Sequence, residues 1–278
     1  MLSESSELSG ESSGRPSDRV ALVTGAARGI GAATVDLLIE QGYEVTALDI
    51  CRGSDVSPGM GYPFATPDDL AVLAGRHGDR VLALEVDATD LDAMHSAVNQ
   101  TLVRFGRLDA VVAAAGVMIG GLPQWQTPAE HLQTLFDINV TGVWNTAAAT
   151  IPVMLAGSSP ATCRFVAVAS AAGERGLFNL AAYTASKHAV IGIVRGLAAD
   201  LVGTGLAAVA IAPGSTRTPM LAATADLYGT TPTDLAQHQA LRRLLEPGEV
   251  AAAIALCCSV EGAALNGSVI RADGGFGQ

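Results

Sequence analysis

The sequence predicts an α/β fold, a doubly wound parallel sheet in a single domain, and three observations predict it. Short apolar runs alternate with longer segments of helical apolar spacing, the order that builds a parallel sheet covered on both faces. A glycine-rich turn, G-x-x-x-G-x-G at Gly25, Gly29 and Gly31, separates the first apolar run from the first helix. The chemistry-bearing residues Gly25, Asp49, Gly116, Ser170 and Pro213 all fall where a strand should end, and the carboxyl ends of parallel strands are where such sheets bind ligands.

Taken in order, residues 1–18 are rich in Ser, Glu and Gly. They carry too little apolar surface to repay the entropy of ordering and read as a flexible tail. The run RVALVTG (19–25) is a near-continuous apolar strand, and AARGIGAATVDLLIEQG is a helix with apolar Ile30, Val35, Leu38 and Ile39 that stops at Gly42. The glycines between them let the backbone approach a pyrophosphate at the helix N-terminus, where a Cβ would obstruct it. A plain strand-to-helix turn would also use glycine, so the context carries the reading.

EVTALDI (44–50) is the next strand and ends on Asp49, twenty-four residues past Gly25. A carboxylate there accepts hydrogen bonds from the ribose hydroxyls of NAD and repels the 2′-phosphate of NADP. Arg28 and Arg52 are read as solvent-facing or near the adenine and pyrophosphate. A Gly, Pro and Ser-rich insert, RGSDVSPGMGYPFATPDDL, then stands where a short connection is the norm; such a loop is a functional lid, an ordinary surface loop or disordered.

Further on, residues 91–105 read as a helix, RLDAVVAAAG (107–116) as the fourth strand, and 128–155 as helices around Asn139. RFVAVAS (164–170) is a buried strand ending in a hydroxyl, and LAAVAIAP (206–213) is the sixth strand. Residues 219–246, PMLAATADLYGTTPTDLAQHQALRRLLE, follow that strand.

The helix over 180–201 carries Tyr183 and Lys187, four apart and therefore on one face. An ammonium beside a phenol favours the phenolate and pulls its pKa down from about 10, which suits the pair to trading a proton with an alcohol or carbonyl. Y-x-x-x-K alone is short enough to arise by accident. Ser170, thirteen residues before Tyr183, adds a hydroxyl placed to hold a substrate oxygen.

Bulk properties narrow the function. The net charge of −11 leaves no basic cluster to neutralise phosphates, which argues against nucleic acid or an anionic membrane as partner. The four cysteines, Cys51, Cys163, Cys257 and Cys258, lack C-x-x-C spacing, so neither a metal site nor a disulfide framework is expected, and buried thiols in a reducing cytoplasm are the default. No apolar stretch reads as a membrane span or signal peptide.

On these residues the chain resembles the short-chain dehydrogenase/reductase family over 19–278. TGAARGIG (24–31) is similar to that family's glycine motif, and YTASK with Ser170 to its active-site set. The resemblance implies a Rossmann-like NAD-binding catalytic domain that interconverts a secondary alcohol and a ketone. It assigns proton exchange to Tyr183, a lowered tyrosine pKa and the nicotinamide ribose to Lys187, substrate orientation to Ser170, and a water relay to Asn139, whose backbone distorts its helix. It places Asp87 and Ala88 near the adenine, Ile50 beside Asp49, Ala115 and Gly116 against the cofactor, and Pro213, Gly214, Thr216 and Thr218 over the nicotinamide. Residues 219–246 become a substrate lid, with Leu177, Phe178 and Met220 facing an apolar, cyclic or terpenoid substrate. The histidines His131, His188 and His238 read as surface or helix residues.

Two features refine the resemblance. The family's Asn-Asn-Ala-Gly is here Ala113-Ala114-Ala115-Gly116, so a side-chain brace of the sheet is missing. Asp-Ile-Cys followed by YPFATPDDL (62–70) resembles the mycofactocin-coupled branch, in which an insertion near the adenine end covers NAD, hinders its exchange and implies a separate redox partner. The family also implies a homotetramer through the Asn139 and Tyr183 helices. Alternatives are a non-catalytic NAD sensor, which has no need of a proton donor, and an epimerase or dehydratase, whose branch has a longer substrate domain.

Overall fold

The computed structural model describes residues 19–277; the tail assigned to 1–18 lies outside the described residues. One seven-stranded parallel sheet runs through the molecule in the order β3-β2-β1-β4-β5-β6-β7. Its strands are β1 Val20–Thr24, β2 Glu44–Asp49, β3 Val81–Glu85, β4 Ala110–Ala113, β5 Arg164–Val168, β6 Ala207–Pro213 and β7 Val269–Ala272. The helices are α1 Gly29–Glu40, α2 Pro67–His77, α3 Leu91–Phe105, α4 Ala129–Phe136, α5 Gly142–Ala156, α6 Ala181–Asp200, α7 Pro219–Leu227, α8 Pro232–Leu235 and α9 Pro247–Cys258.

The near-continuous apolar character of the strands follows from their being covered on both sides. Along β1, Ala21 and Val23 enter one core with Val35 and Leu38 of α1 and Val250 and Ile254 of α9. Val20 and Leu22 enter the other, with Met94 of α3, Ala147 of α5 and Val190 of α6. Successive side chains of a strand point to opposite faces, so a strand roofed twice has no polar face to show.

Strand order reverses between β1 and β4, which opens a crevice beyond their carboxyl ends. There Thr24 Oγ1 accepts hydrogen bonds from the amides of Ala114 and Ala115, both at 3.2 Å. Thr24 thus braces the turn where the family's side-chain amides are missing. The fourth strand is shorter than the predicted 107–116, because its entry is taken by the Arg107–Asp109 ion pair and its exit by this turn.

The segment predicted as helices over 128–155 divides into α4, a π-helical turn at Asp137–Thr141 and α5. The insert contracts as well. Its last residues form the first turn of α2, where Thr66 and Asp69 cap each other reciprocally and Pro67 occupies the first turn. No helix among the described residues is long and apolar enough to cross a membrane.

Candidate active site

A cleft of about 920 Å³ opens along the carboxyl edge of the sheet. Every candidate site residue but Asn139 lines it: Gly25, Arg28, Gly29, Ile30, Gly31, Asp49, Ile50, Asp87, Ala88, Ala115, Gly116, Ser170, Leu177, Phe178, Tyr183, Lys187, Pro213, Gly214, Thr216, Thr218 and Met220. Asn139 is fully buried behind the wall.

The glycine turn is a tight cradle. Gly25 adopts φ +66° and a Cβ there would lie 2.7 Å from the Ala115 Cα, while one on Gly31 would run into the Gly25 carbonyl. Only bare backbone fits, which leaves amides at the start of α1 facing the cleft without a side chain in the way. At the end of β2 the Asp49 carboxylate accepts the amides of Ala27 at 3.0 Å and Cys51 at 3.3 Å. These bonds fix the carboxylate while leaving lone pairs for hydroxyl donors. Asp87 is held by Thr89, amide at 2.9 Å and hydroxyl at 2.7 Å, and pairs with Arg52 at 3.3 Å.

Across the cleft, α6 begins directly after the loop from Ser170 and carries Tyr183 and Lys187 one turn apart. Lys187 Nζ donates to the Val168 carbonyl at 3.0 Å and stands 5.9 Å from the Tyr183 ring centroid. Asn139 sits in the π-turn; its Oδ1 accepts the Val117 amide at 2.8 Å, and its Nδ2 donates to the Val117 carbonyl at 2.9 Å and to Ser186 Oγ at 3.0 Å. A Cβ on Gly116 would lie 3.1 Å from Asn139 Oδ1 and 3.2 Å from Lys187 Nζ. Gly116 is therefore where the two polar groups meet the backbone.

Burial, not charge attraction, dominates the titration of the pair. Tyr183 is held above its ordinary phenol value by desolvation, with the neighbouring Ser170 hydroxyl opposing. The net direction is upward, against the depression expected from a neighbouring ammonium, because burial outweighs it. Lys187 itself is pushed down to about 8 because its ammonium is buried, with a carbonyl and, among the described residues, no carboxylate as its partner. A lysine in that state gives up its proton far more readily than an exposed one.

The insert reaches the Tyr183 side of the cleft. Met60, Tyr62 and Phe64 are buried in one apolar cluster with Met118, Leu180 and Tyr183, so the insert packs beside the candidate catalytic tyrosine. Tyr62 OH accepts the Met118 amide at 2.9 Å. Arg28, expected at the cofactor, lines the cleft but lies over the Tyr62 ring at 5.9 Å and donates to the Pro63 carbonyl. The loop is closed on itself by Gly53 N to Ala65 O at 2.9 Å and Phe64 N to Gly53 O at 2.7 Å. Tyr62 and Phe64 were not singled out as site residues from sequence; the signal was a pair of aromatics in a loop otherwise made of Gly, Pro and Ser.

The substrate end is lined by Leu177, Phe178, Met220 and Tyr228. Tyr228 OH donates to the Phe178 carbonyl at 2.5 Å, which ties the segment after α7 to the loop before α6. His188 bonds within α6 to the Thr184 carbonyl, and His131 packs against Gly59 of the insert. His238 is exposed, at the end of a 3-10 turn, and also lines the cleft.

Comparison with known proteins fits this geometry. A family model described as enoyl-(acyl carrier protein) reductase matches residues 25–277. A short-chain type dehydrogenase/reductase of Mycolicibacterium smegmatis is 30% identical over 277 residues, spanning 94% of this chain and 98% of its own. The cis-4-hydroxycyclohexanecarboxylate dehydrogenase of Sinomonas cyclohexanicum is 34% identical over 260 residues, covering 93% and 96%. The crystal structure of carveol dehydrogenase from Mycobacterium avium in complex with NAD superposes with a TM-score of 0.87 at 30% identity, covering 95% of this chain and 99% of that one.

Proposed function

Because the chain belongs to the short-chain dehydrogenase/reductase family, we propose that it is an NAD-dependent oxidoreductase interconverting a secondary alcohol and a ketone on an apolar, cyclic small molecule. The observation that carries this reading is the placement of Ser170, Tyr183 and Lys187 on the same cleft as a glycine cradle and a fixed Asp49. The relatives named for carveol and for hydroxycyclohexanecarboxylate support a six-membered carbocycle as the substrate skeleton.

The residues fit the dinucleotide. Gly25, Gly29 and Gly31 leave the room and amides for a pyrophosphate, Asp49 takes the ribose hydroxyls and disfavours a 2′-phosphate, and Asp87 stands at the adenine end. NAD supplies hydride chemistry at C4 of its nicotinamide. Tyr183 takes the alcohol proton in oxidation and returns it in reduction, Ser170 orients the oxygen, and Lys187 holds the nicotinamide ribose and biases the tyrosine toward its anion. A bound oxidised nicotinamide would bring positive charge, which opposes the burial penalty on the phenolate. Asn139 anchors the proton path behind Lys187.

We further place the protein in the mycofactocin-coupled branch, with its NAD slow to exchange and reoxidised by a separate redox partner. Supporting this are the insert's seat over both ends of the cleft and its anchors at Met118 and on Arg28. A homotetramer built on α5 and α6 is supported by Trp144, 63% exposed on α5, and a cytoplasmic location by four buried free cysteines.

The test is mass spectrometry of small molecules released on denaturing freshly desalted protein, followed by assay with carveol. Stoichiometric NAD with turnover only in the presence of an artificial electron acceptor supports the coupled reading. An empty protein active with free NAD removes the coupling but keeps the dehydrogenase. Failure to oxidise any cyclic alcohol with either cofactor state sinks the proposal.

A further inference from the structure

The mouth of the substrate end is not apolar. Arg175, five residues after Ser170 on the loop to α6, lines the cleft together with His238 and Phe276. Its guanidinium lies over the Phe276 ring at 5.8 Å, and the His238 ring flanks the same phenyl at 6.2 Å between centroids. The chain's last described segment holds these groups in place. Gly277 N donates to the His238 carbonyl at 2.7 Å, Ala240 N to the Gly275 carbonyl at 3.1 Å, and Gly277 lies so close to Arg175 that a side chain there would displace the guanidinium.

Arg175 differs from the other cations of the cleft in having no hydrogen-bond acceptor among the described residues; its contact there is with the Phe276 ring. Arg28 donates to Pro63, Arg52 pairs with Asp87, and Lys187 donates to Val168. The acids nearby are occupied. Glu174 is bound at both oxygens by Arg271, at 2.8 and 3.0 Å. Asp234, on the same rim, accepts the Thr230 hydroxyl at 2.9 Å and the Thr231 hydroxyl and amide at 2.7 and 3.1 Å. Glu174 acts on Arg175 through space only, and a planar fork of donors set against an aromatic ring with no carboxylate hydrogen-bonded to it among the described residues is suited to receive one from a ligand.

We propose that Arg175, flanked by Phe276 and His238, is a carboxylate anchor, so that the substrate is a cyclic alcohol bearing a carboxylate remote from its hydroxyl. This rests on the oxidoreductase reading and extends it to a substrate class. The division of the cleft suits such a molecule. Its apolar ring passes Leu177 and Met220 toward Ser170 and Tyr183, while the carboxylate stays at the rim, partly hydrated, and escapes the cost of full desolvation.

Calorimetric binding of cyclohexanecarboxylate and of cyclohexanecarboxamide to the cofactor-loaded full chain tests the anchor without requiring turnover. The carboxylate should bind at least about tenfold tighter than the amide, the worth of a charge-assisted pair. Arg175→Met should close that gap and leave the amide's affinity unchanged, and Arg175→Lys should retain part of it. Equal binding of the two ligands by the wild-type protein overturns the proposal whether or not the variants fold. A parallel weakening of both ligands in Arg175→Met also overturns it, since Arg175 would then only pin the 274–277 segment. Oxidation of cis-4-hydroxycyclohexanecarboxylate, assayed separately, distinguishes the two readings. A carboxylate preference without any alcohol oxidation keeps the anchor and removes the oxidoreductase; oxidation without the preference does the reverse.

Discussion

At the scale of single residues, the site pairs a phenol and an ammonium that burial has pushed in opposite directions, and this fixes how pH should act. With Tyr183 above its ordinary value, the phenolate needed to accept a proton is the minor form at neutral pH. Alcohol oxidation should therefore climb with pH between about 7 and 9, while carbonyl reduction, which uses the phenol, stays level; kcat/KM profiles in both directions check this, and parallel profiles would remove Tyr183 as the titrating group. Tyr183→Phe should abolish turnover and leave NAD bound, read by activity and by the mass of released cofactor. Lys187 gives a stability signature of its own. Its pKa falls from 10.5 to about 8 on folding, so between those values the unfolded chain holds the proton more tightly. The burial penalty is full below pH 8 and fades as pH rises toward 10.5. Relative to Lys187→Met, the wild-type protein should gain stability across that window, measured as the difference in urea midpoints; a constant difference would mean that the lysine is not desolvated as the structure has it.

At the scale of elements, what was legible in the sequence was whatever repeats or punctuates. The β1 run, the glycine turn, α1, α3 and β6 follow from unbroken apolar spacing bounded by Gly or Pro, and Asp49, Ser170 and Pro213 were placed by standing at the ends of such runs. The strand β3 was less legible, because only Val81 of its five residues is fully buried and the pattern at the sheet edge is diluted. The direction of the insert was not legible at all. Nothing local in GMGYPF says that the loop reaches Met118 and Tyr183, because that path is set by contacts distant in sequence: Tyr62 to Met118, Gly59 to His131 and Arg28 to Pro63. The titration of Tyr183 was misread for the same reason, since spacing reveals a neighbouring charge and conceals the burial around it. The insert's role carries a prediction. Tyr62→Phe leaves the buried Met118 amide without its acceptor, an expected cost of about 1–3 kcal/mol. Because that bond ties the insert over the cleft, NAD should dissociate at least several-fold faster, as followed by cofactor release after dilution. An unchanged release rate together with lowered stability would reduce Tyr62 to a packing residue.

At the scale of the whole molecule, chemistry and cohesion occupy opposite ends of the sheet. All the candidate reacting and binding groups lie toward the carboxyl ends of the strands, whereas the amino ends are gathered by two arginines with neutral partners. Arg164, at the start of β5 and 1% exposed, donates to the carbonyls of Ala161 at 3.0 Å, Cys163 at 2.6 Å, Ser259 at 3.0 Å and Val260 at 2.7 Å. Arg19, just before β1, donates to the Thr162 carbonyl at 2.8 Å, the Cys258 carbonyl at 3.1 Å and the Tyr43 hydroxyl at 2.6 Å. Between them they add donors to the carbonyls of Cys258, Ser259 and Val260 where α9 ends, beside the amides of Gly262 and Ala263 that reach the last two, and join that helix to β1 and β5. A cation surrounded by carbonyl dipoles also complements the negative end of the helix. Replacing Arg164 by Met removes four hydrogen bonds at once, although the carbonyls of Cys163, Ser259 and Val260 keep the amides of Ala207, Gly262 and Ala263, so the variant should lose about 2–4 kcal/mol of stability. The cleft lies at the other end of the same strands and shares none of these bonds. The affinity of the folded variant for NADH, measured by fluorescence below its unfolding transition, should therefore stay within about twofold of the wild-type value. Loss of cofactor affinity in step with stability would mean that the two ends of the sheet are mechanically coupled, and that the division between a reactive edge and a structural one fails for this chain.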